Sequence, residues 1–111
     1  MTATDTARVL VVDDEPQITR VLRTVLASQG YEVRTAPDGE SGLVNFKEWS
    51  PELVITDLAM PAMDGFQLLT ALRADPLLRT TPVIIISAKM DRSANRHAME
   101  LGADEIGRAH V

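Results

Sequence analysis

Apolar positions along the chain follow two alternating rhythms. Short runs rich in β-branched residues, Arg8 to Val12 (RVLVV), Tyr31 to Thr35 (YEVRT), Leu53 to Thr56 (LVIT) and Val83 to Ser87 (VIIIS), have the length and composition of strands. The first, third and fourth are apolar almost without a break, as strands covered on both faces are; the second alternates, as an edge strand does. Between these runs the period lengthens. Ile18, Val21, Leu22, Val25 and Leu26 form one stripe at i, i+3, i+4, i+7 and i+8, with Pro16 in the first turn and Gly30 as the stop, which predicts a helix. Asp38 is placed to cap a second helix reaching Lys47, and Asp64 a third that turns Phe66, Leu69 and Leu72 inward. Asp91 caps a fourth, Arg92 to Leu101, with Ala94, Ala98 and Leu101 inward, while Pro51, Pro76 and Pro82 mark breaks.

A strand followed by a helix, repeated along the chain with right-handed crossovers, requires an α/β fold: a doubly wound parallel sheet with helices on both faces. A length of 111 residues allows one domain. Hydrophobic residues at 45% and charged residues at 24% fit a globular protein rather than a disordered or membrane-embedded one, and 4% aromatic makes the core aliphatic. A net charge of −5 repels nucleic acid phosphates, so direct nucleic acid binding by this domain is not expected. The absence of cysteine excludes disulfides and thiolate metal sites. Met1 to Ala7 is polar and reads as a flexible N-terminal tail, without the basic-then-apolar order of a signal peptide; no apolar run approaches the ~20 residues of a membrane span. A cytoplasmic protein without membrane contact is expected.

In an open parallel sheet the ligand site lies at the carboxyl ends of the strands. There the first strand runs into Asp13-Asp14-Glu15-Pro16, the third into Asp57 and the fourth into Ser87-Ala88-Lys89. Neighbouring strands lie ~4.8 Å apart, so if the first and third are adjacent their carboxylates crowd into one small volume. Like charges that close disfavour ionisation unless a cation joins them, and Mg2+ takes one or two carboxylates while sharing its sphere with waters and phosphate oxygens. Asp57 is then placed as a nucleophile toward phosphorus, with Ser87 offering a hydroxyl and the loop LAMPAMDG offering backbone N–H groups. Taken singly each residue has a plainer role: paired aspartates commonly end strands as solvated turns, and Met60 and Met63 suit packing better than chemistry. Their coincidence at matching ends of buried strands favours the joint site.

The runs VLVVDDEP, LVITDLAMPAMDG, PVIIISA and AMELGAD, in this order and spacing, resemble the receiver domain of bacterial response regulators over nearly all of Arg8 to Asp104. The resemblance implies a flavodoxin-like sheet of strand order 2-1-3-4-5. It implies a phosphoacceptor role for Asp57, supplied by a histidine kinase or phosphotransfer protein, and a Mg2+ site at Asp14 assisted by Asp13, with Asp57 and the backbone carbonyl of Ala59 as further ligands. It also implies a switch hydroxyl at Ser87, access past Ala88, and a partner surface on the fourth helix around Arg92 and Arg96, through which an output domain or partner protein is engaged. Such a domain is a signalling module rather than an enzyme toward an outside metabolite. Two rival readings remain at this level: a degenerate receiver that only binds protein, and a Mg2+-dependent phosphohydrolase, which would need a second acid where Ala59 stands.

The chain departs from the family pattern after GAD. Ile106 falls at the usual aromatic position and Ala109 at the usual lysine, and no fifth helix follows. The fifth strand and helix are therefore expected to be missing or aberrant, leaving the fourth strand as a bare edge and favouring a dimer through that strand and the fourth helix. Back-translation of Glu105 to Val111 as GAG-ATC-GGA-AGA-GCA-CAC-GTC, followed by TGA, spells the start of a common short-read sequencing adapter. On that basis the receiver domain is expected over residues 8–105, incomplete, with 106–111 a non-native tail from a truncated gene. The encoding nucleotide sequence tests this.

Overall fold

The computed structural model describes residues 6–57, 63–87 and 105–108, with the backbone alone at 87 and 105–108. Its elements alternate as the sequence pattern requires: β1 (Arg8–Val12), α1 (Pro16–Ser28), β2 (Glu32–Ala36), α2 (Gly39–Trp49), β3 (Leu53–Asp57), α3 (Gly65–Ala74), β4 (Val83–Ser87) and β5 (Glu105–Arg108). The strands form one sheet of order β2-β1-β3-β4-β5, parallel at every pairing. The alternating strand, β2, lies at one edge.

Side-chain alternation along the strands divides the core between two faces. Leu10, Val12, Val54, Val83 and Ile85 meet Phe46 of α2 and Leu68, Leu69 and Leu72 of α3. Val9, Val11 and Ile55 face the other way, where Leu22 and Leu26 of α1 pack on them. Helix starts follow local chemistry. Ser41 N donates to Asp38 Oδ1 at 2.7 Å, and Asp64 closes a capping box in which Gln67 N donates to Asp64 Oδ1 at 2.8 Å and Asp64 N to Gln67 Oε1 at 3.0 Å. α2 runs past Lys47 to Trp49 and ends on Ser50 in the left-handed region.

Of the two forms expected for the fifth strand, missing or aberrant, the second holds: Glu105–Arg108 pairs with Ile84 to Ser87 as a short strand, and the β4 edge is covered there. The ladder is a backbone property that an extended segment can complete whatever its side chains, so a departure in side-chain pattern need not remove the strand. The dimer expected through a bare fourth strand thereby loses the edge that motivated it. Ala7, assigned to the flexible tail, already joins the pairing, its carbonyl accepting from Glu32 N at 2.9 Å. On α1 the apolar stripe is only partly used: Ile18, Leu22 and Leu26 are half-buried while Val21 and Val25 are 59% and 53% exposed. The predicted fourth helix, with Arg92 and Arg96, lies outside the described residues, as does any fifth helix.

Candidate acidic metal centre

The register of the two central strands brings the acidic residues together. Val12 pairs with Thr56, so Asp13 and Asp57, each the next residue, leave adjacent strands at the same end of the sheet. One carboxylate oxygen from each of Asp13, Asp14 and Asp57 lies within 4.8 Å of the other two. Asp13 is buried at 7% exposure, Asp57 half-buried and Asp14 exposed, so the cluster grades from the sheet interior to solvent.

Local hydrogen bonds hold the strand ends. Asp13 N donates to Ala36 O at 3.0 Å, extending the contact of β1 with β2, and Glu15 N donates to Asp13 Oδ1 at 2.9 Å, which folds the chain back over the carboxylate before Pro16 begins α1. Thr56, fully buried, donates from Oγ1 to Asp57 O at 3.0 Å. Burial pushes the Asp13 carboxyl up to about 6 from 3.8; the bond from Glu15 N works against that rise, and the negative charges of Asp57, Asp14 and Glu15 add to it. A buried carboxyl among other carboxylates is a poor place for free negative charge and a good one for a hard cation. The donors are all oxygen, the ligand type a hard divalent cation takes.

Of the residues singled out from sequence, Asp13, Asp14 and Asp57 are thus brought together. The backbone of Ser87 ends β4 one position beyond Ile86, the partner of Asp57. Ala59 and Ala88 lie outside the described residues. Two contributors were missed. Thr56 read as one more β-branched strand residue, although its hydroxyl secures the Asp57 carbonyl. Gly39 read as the ordinary follower of a cap, although Met63 lies directly against it.

Comparison with known proteins agrees with this geometry. Residues 9–106 match the family described as the response regulator receiver domain. The chain is 45% identical over 97 residues to the transcriptional regulatory protein KdpE of Mycobacterium tuberculosis, covering 87% of this chain and 42% of that protein. It is 38% identical over 100 residues to the response regulator PleD of Caulobacter vibrioides, covering 90% of this chain and 22% of that one. The chain therefore spans less than half the length of these relatives. Among solved structures, a putative response regulator from Chloroflexus aurantiacus superposes with a TM-score of 0.88 at 34% identity, over 94% of this chain and 85% of that one. The chemotaxis protein CheY4 of Vibrio cholerae does so with 0.86 at 30% identity, over 94% and 85%. Receiver domains are signalling modules of two-component systems, and among the described residues no helix is long and apolar enough to cross a membrane. With the family match spanning most of the chain and the acidic cluster at the sheet's carboxyl end, this chain belongs to the response regulator receiver domain family.

Proposed function

We propose that this domain is a Mg2+-dependent phosphoacceptor, in which Asp57 takes a phosphoryl group from a histidine kinase or phosphotransfer protein and the modified domain changes its contacts with an output domain or partner protein. One observation carries this reading: the convergence of the Asp13, Asp14 and Asp57 carboxylates within 4.8 Å at the ends of adjacent strands. The donor set fits Mg2+, which Asp13, Asp14 and Asp57 would hold, with the Ala59 carbonyl as the further ligand that the family resemblance implies. Bound there, Mg2+ would neutralise charge on the transferring phosphoryl oxygens.

The chain's own residues do the rest. An Asp57 carboxylate oxygen forms the new O–P bond as the donor's P–N bond breaks, and the electron pair of that bond returns to the donor imidazole. The buried Thr56 hydroxyl, bonded to the Asp57 carbonyl, restrains the end of β3 during attack. Glu15 N, bonded to Asp13 Oδ1, keeps that carboxylate in the cluster. Ser87, at the end of the next strand, is the hydroxyl proposed to move onto a phosphoryl oxygen and so report the modification.

Intact-mass measurement after incubation with acetyl phosphate and Mg2+ tests the proposal. One added phosphoryl group is expected, lost when Asp57→Asn replaces the acceptor or when EDTA removes the metal. A chain that never gains the group, or that keeps gaining it in the Asp57→Asn variant, is no Asp57 phosphoacceptor.

A further inference from the structure

We propose that the outer edge of β2 is a self-association surface: a second copy of this chain pairs with it antiparallel about Val33, so that the two sheets join and Glu32 of each protomer faces Arg34 of its partner. β2 stands at the end of the strand order and pairs with β1 on one side only. Its backbone is therefore half used. Glu32 N donates to Ala7 O at 2.9 Å and Ala36 O accepts from Asp13 N at 3.0 Å, so Glu32, Arg34 and Ala36 direct their amides and carbonyls to β1. A trans peptide points each carbonyl opposite to the next N–H, which turns the N–H and C=O of Val33, the N–H of Thr35 and the carbonyl of Tyr31 outward. Tyr31 N is already given to Leu26 O at 3.2 Å, and Pro37 has no N–H, so the free edge is confined to Tyr31 through Thr35.

Charges on an edge strand usually keep other strands away, but here their signs select one partner. Glu32 and Arg34 are both exposed, and the Arg34 guanidinium lies 4.8 Å from the centre of the Trp49 ring. Stacking on Trp49 holds this long side chain near the edge while its rim of N–H groups stays open to a carboxylate. Among the described residues neither charge has an ion-pair partner in its own chain: Arg8, opposite Glu32 in the register, is taken by Glu52 at 3.6 Å and by Ser50 O at 2.8 Å. Parallel pairing of two β2 edges in register would set Glu32 against Glu32 and Arg34 against Arg34. Antiparallel pairing about either of those residues also sets like charge against like. Only the antiparallel register about Val33 sets Glu32 opposite Arg34 in both directions. In that register the two Val33 residues exchange N–H···O bonds, and each Thr35 N donates to the Tyr31 carbonyl of the other copy. The charged residues then take the non-hydrogen-bonded positions, where Cα atoms are about 4.5 Å apart and side chains are closest. A twofold axis at Val33 repeats every contact, so the edge is complementary to itself.

The inference is independent of the phosphoacceptor reading, and sedimentation equilibrium on the unphosphorylated, metal-free chain tests it. A monomer–dimer equilibrium is expected, and it should weaken as salt screens the charge pairs. Glu32→Arg and Arg34→Glu each turn both unlike pairs into like ones, so each should raise the dimer dissociation constant about tenfold or more. The Glu32→Arg/Arg34→Glu double variant exchanges the signs but keeps them opposite, and should recover most of that loss. Thr35→Pro removes an N–H that β1 does not use, so it should abolish the dimer while the dilute chain still melts cooperatively. Because the sequence has no cysteine, Val33→Cys adds one thiol per chain. Hydrogen-bonded partners lie about 5.5 Å apart at Cα, within the span of a disulfide, so mild oxidation should crosslink this variant far faster than Leu77→Cys, whose position is exposed in the turn after α3.

A wild-type chain that stays monomeric up to millimolar concentration would overturn the inference. So would a dimer that both charge reversals and Thr35→Pro leave intact, since the contact would then lie on another surface. A double reversal no tighter than the single ones would remove the Val33 register and the proposal with it. If Thr35→Pro does not fold, the charge reversals and the Val33→Cys crosslink decide, and equal crosslinking of Val33→Cys and Leu77→Cys counts against the proposal.

Discussion

Asp13 shows how a single residue can oppose folding at neutral pH and still be held in the acidic cluster. Its carboxyl is raised to about 6 from 3.8, chiefly because it is buried, so the folded state favours its neutral form more than the unfolded chain does. The sign for stability follows. This group's favourable contribution is complete below about pH 3.8 and is lost as pH rises through about 6, so the metal-free protein should be more stable near pH 5 than near pH 7.5 as far as Asp13 is concerned. Asp13→Asn keeps an oxygen to accept from Glu15 N but carries no charge. At neutral pH without metal it should raise stability by an amount on the order of 2 kcal/mol, while Mg2+ affinity falls. Thermal melts at pH 5 and 7.5, with and without Mg2+, check this, and an Asn variant that melts lower than wild type at pH 7.5 without metal would contradict it. The three acidic residues were legible in the sequence because Asp13-Asp14 and Asp57 close apolar runs, and strand ends are where such a sheet presents ligands. Which of the three is buried was not legible. Nor was the approach of Met63 to Gly39, since a contact between segments 24 positions apart leaves no periodic trace.

At the scale of elements, the caps were the most reliable local signals. Asp38 and Asp64 start α2 and α3 as expected because a carboxylate bonding the N3 amide is decided within a few residues. Helix ends were read less well. α2 continues to Trp49 and stops with Ser50 at φ 51°, a conformation that costs a non-glycine residue about 1–2 kcal/mol. Ser50→Gly should recover part of this, about 0.5–1 kcal/mol after glycine's greater unfolded entropy is counted. The bond from Arg8 Nη2 to the Ser50 carbonyl, 2.8 Å, uses backbone and survives the change. Urea denaturation should show a higher midpoint with an unchanged slope; a lower midpoint would mean that the Ser50 side chain does something its contacts do not display. How far the α1 stripe is covered and whether the last strand pairs were not legible, for related reasons. Periodicity gives the direction of an apolar face but not how much of it the sheet covers, which is why Ile18, Leu22 and Leu26 are sheltered while Val21 and Val25 stay exposed. Side-chain pattern likewise says little about a ladder made by backbone, so Glu105–Arg108 pairs with β4 without the expected sequence.

At the scale of the whole molecule, the described residues bury the two faces of the sheet to different degrees. The α2 and α3 side holds a continuous cluster that includes Leu10, Phe46, Leu68, Leu69, Leu72 and Ile85, all nearly inaccessible. On the other side the buried set among the described residues is Val9, Val11 and Ile55, with Leu22, Leu26, Ile84 and Ile86 only partly covered. The same truncation should therefore cost different amounts on the two faces. Leu69→Ala removes a fully enclosed side chain and should destabilise by about 3–5 kcal/mol, whereas Leu22→Ala, already half in water, should lose about 1–2 kcal/mol. Met63, six residues after Asp57 in the sequence, packs against the first cluster, so truncation of that layer is expected to disturb the acidic cluster more than truncation of the other. Leu22→Ala should leave the folded chain's Mg2+ affinity intact, while Leu69→Ala should weaken it under conditions where most of the chain is still folded. Calorimetric Mg2+ titration of both variants, with the folded fraction fixed by denaturation curves, measures this. Equal destabilisation by the two truncations, or weaker Mg2+ binding in Leu22→Ala alone, would mean that the site is supported from the α1 face instead.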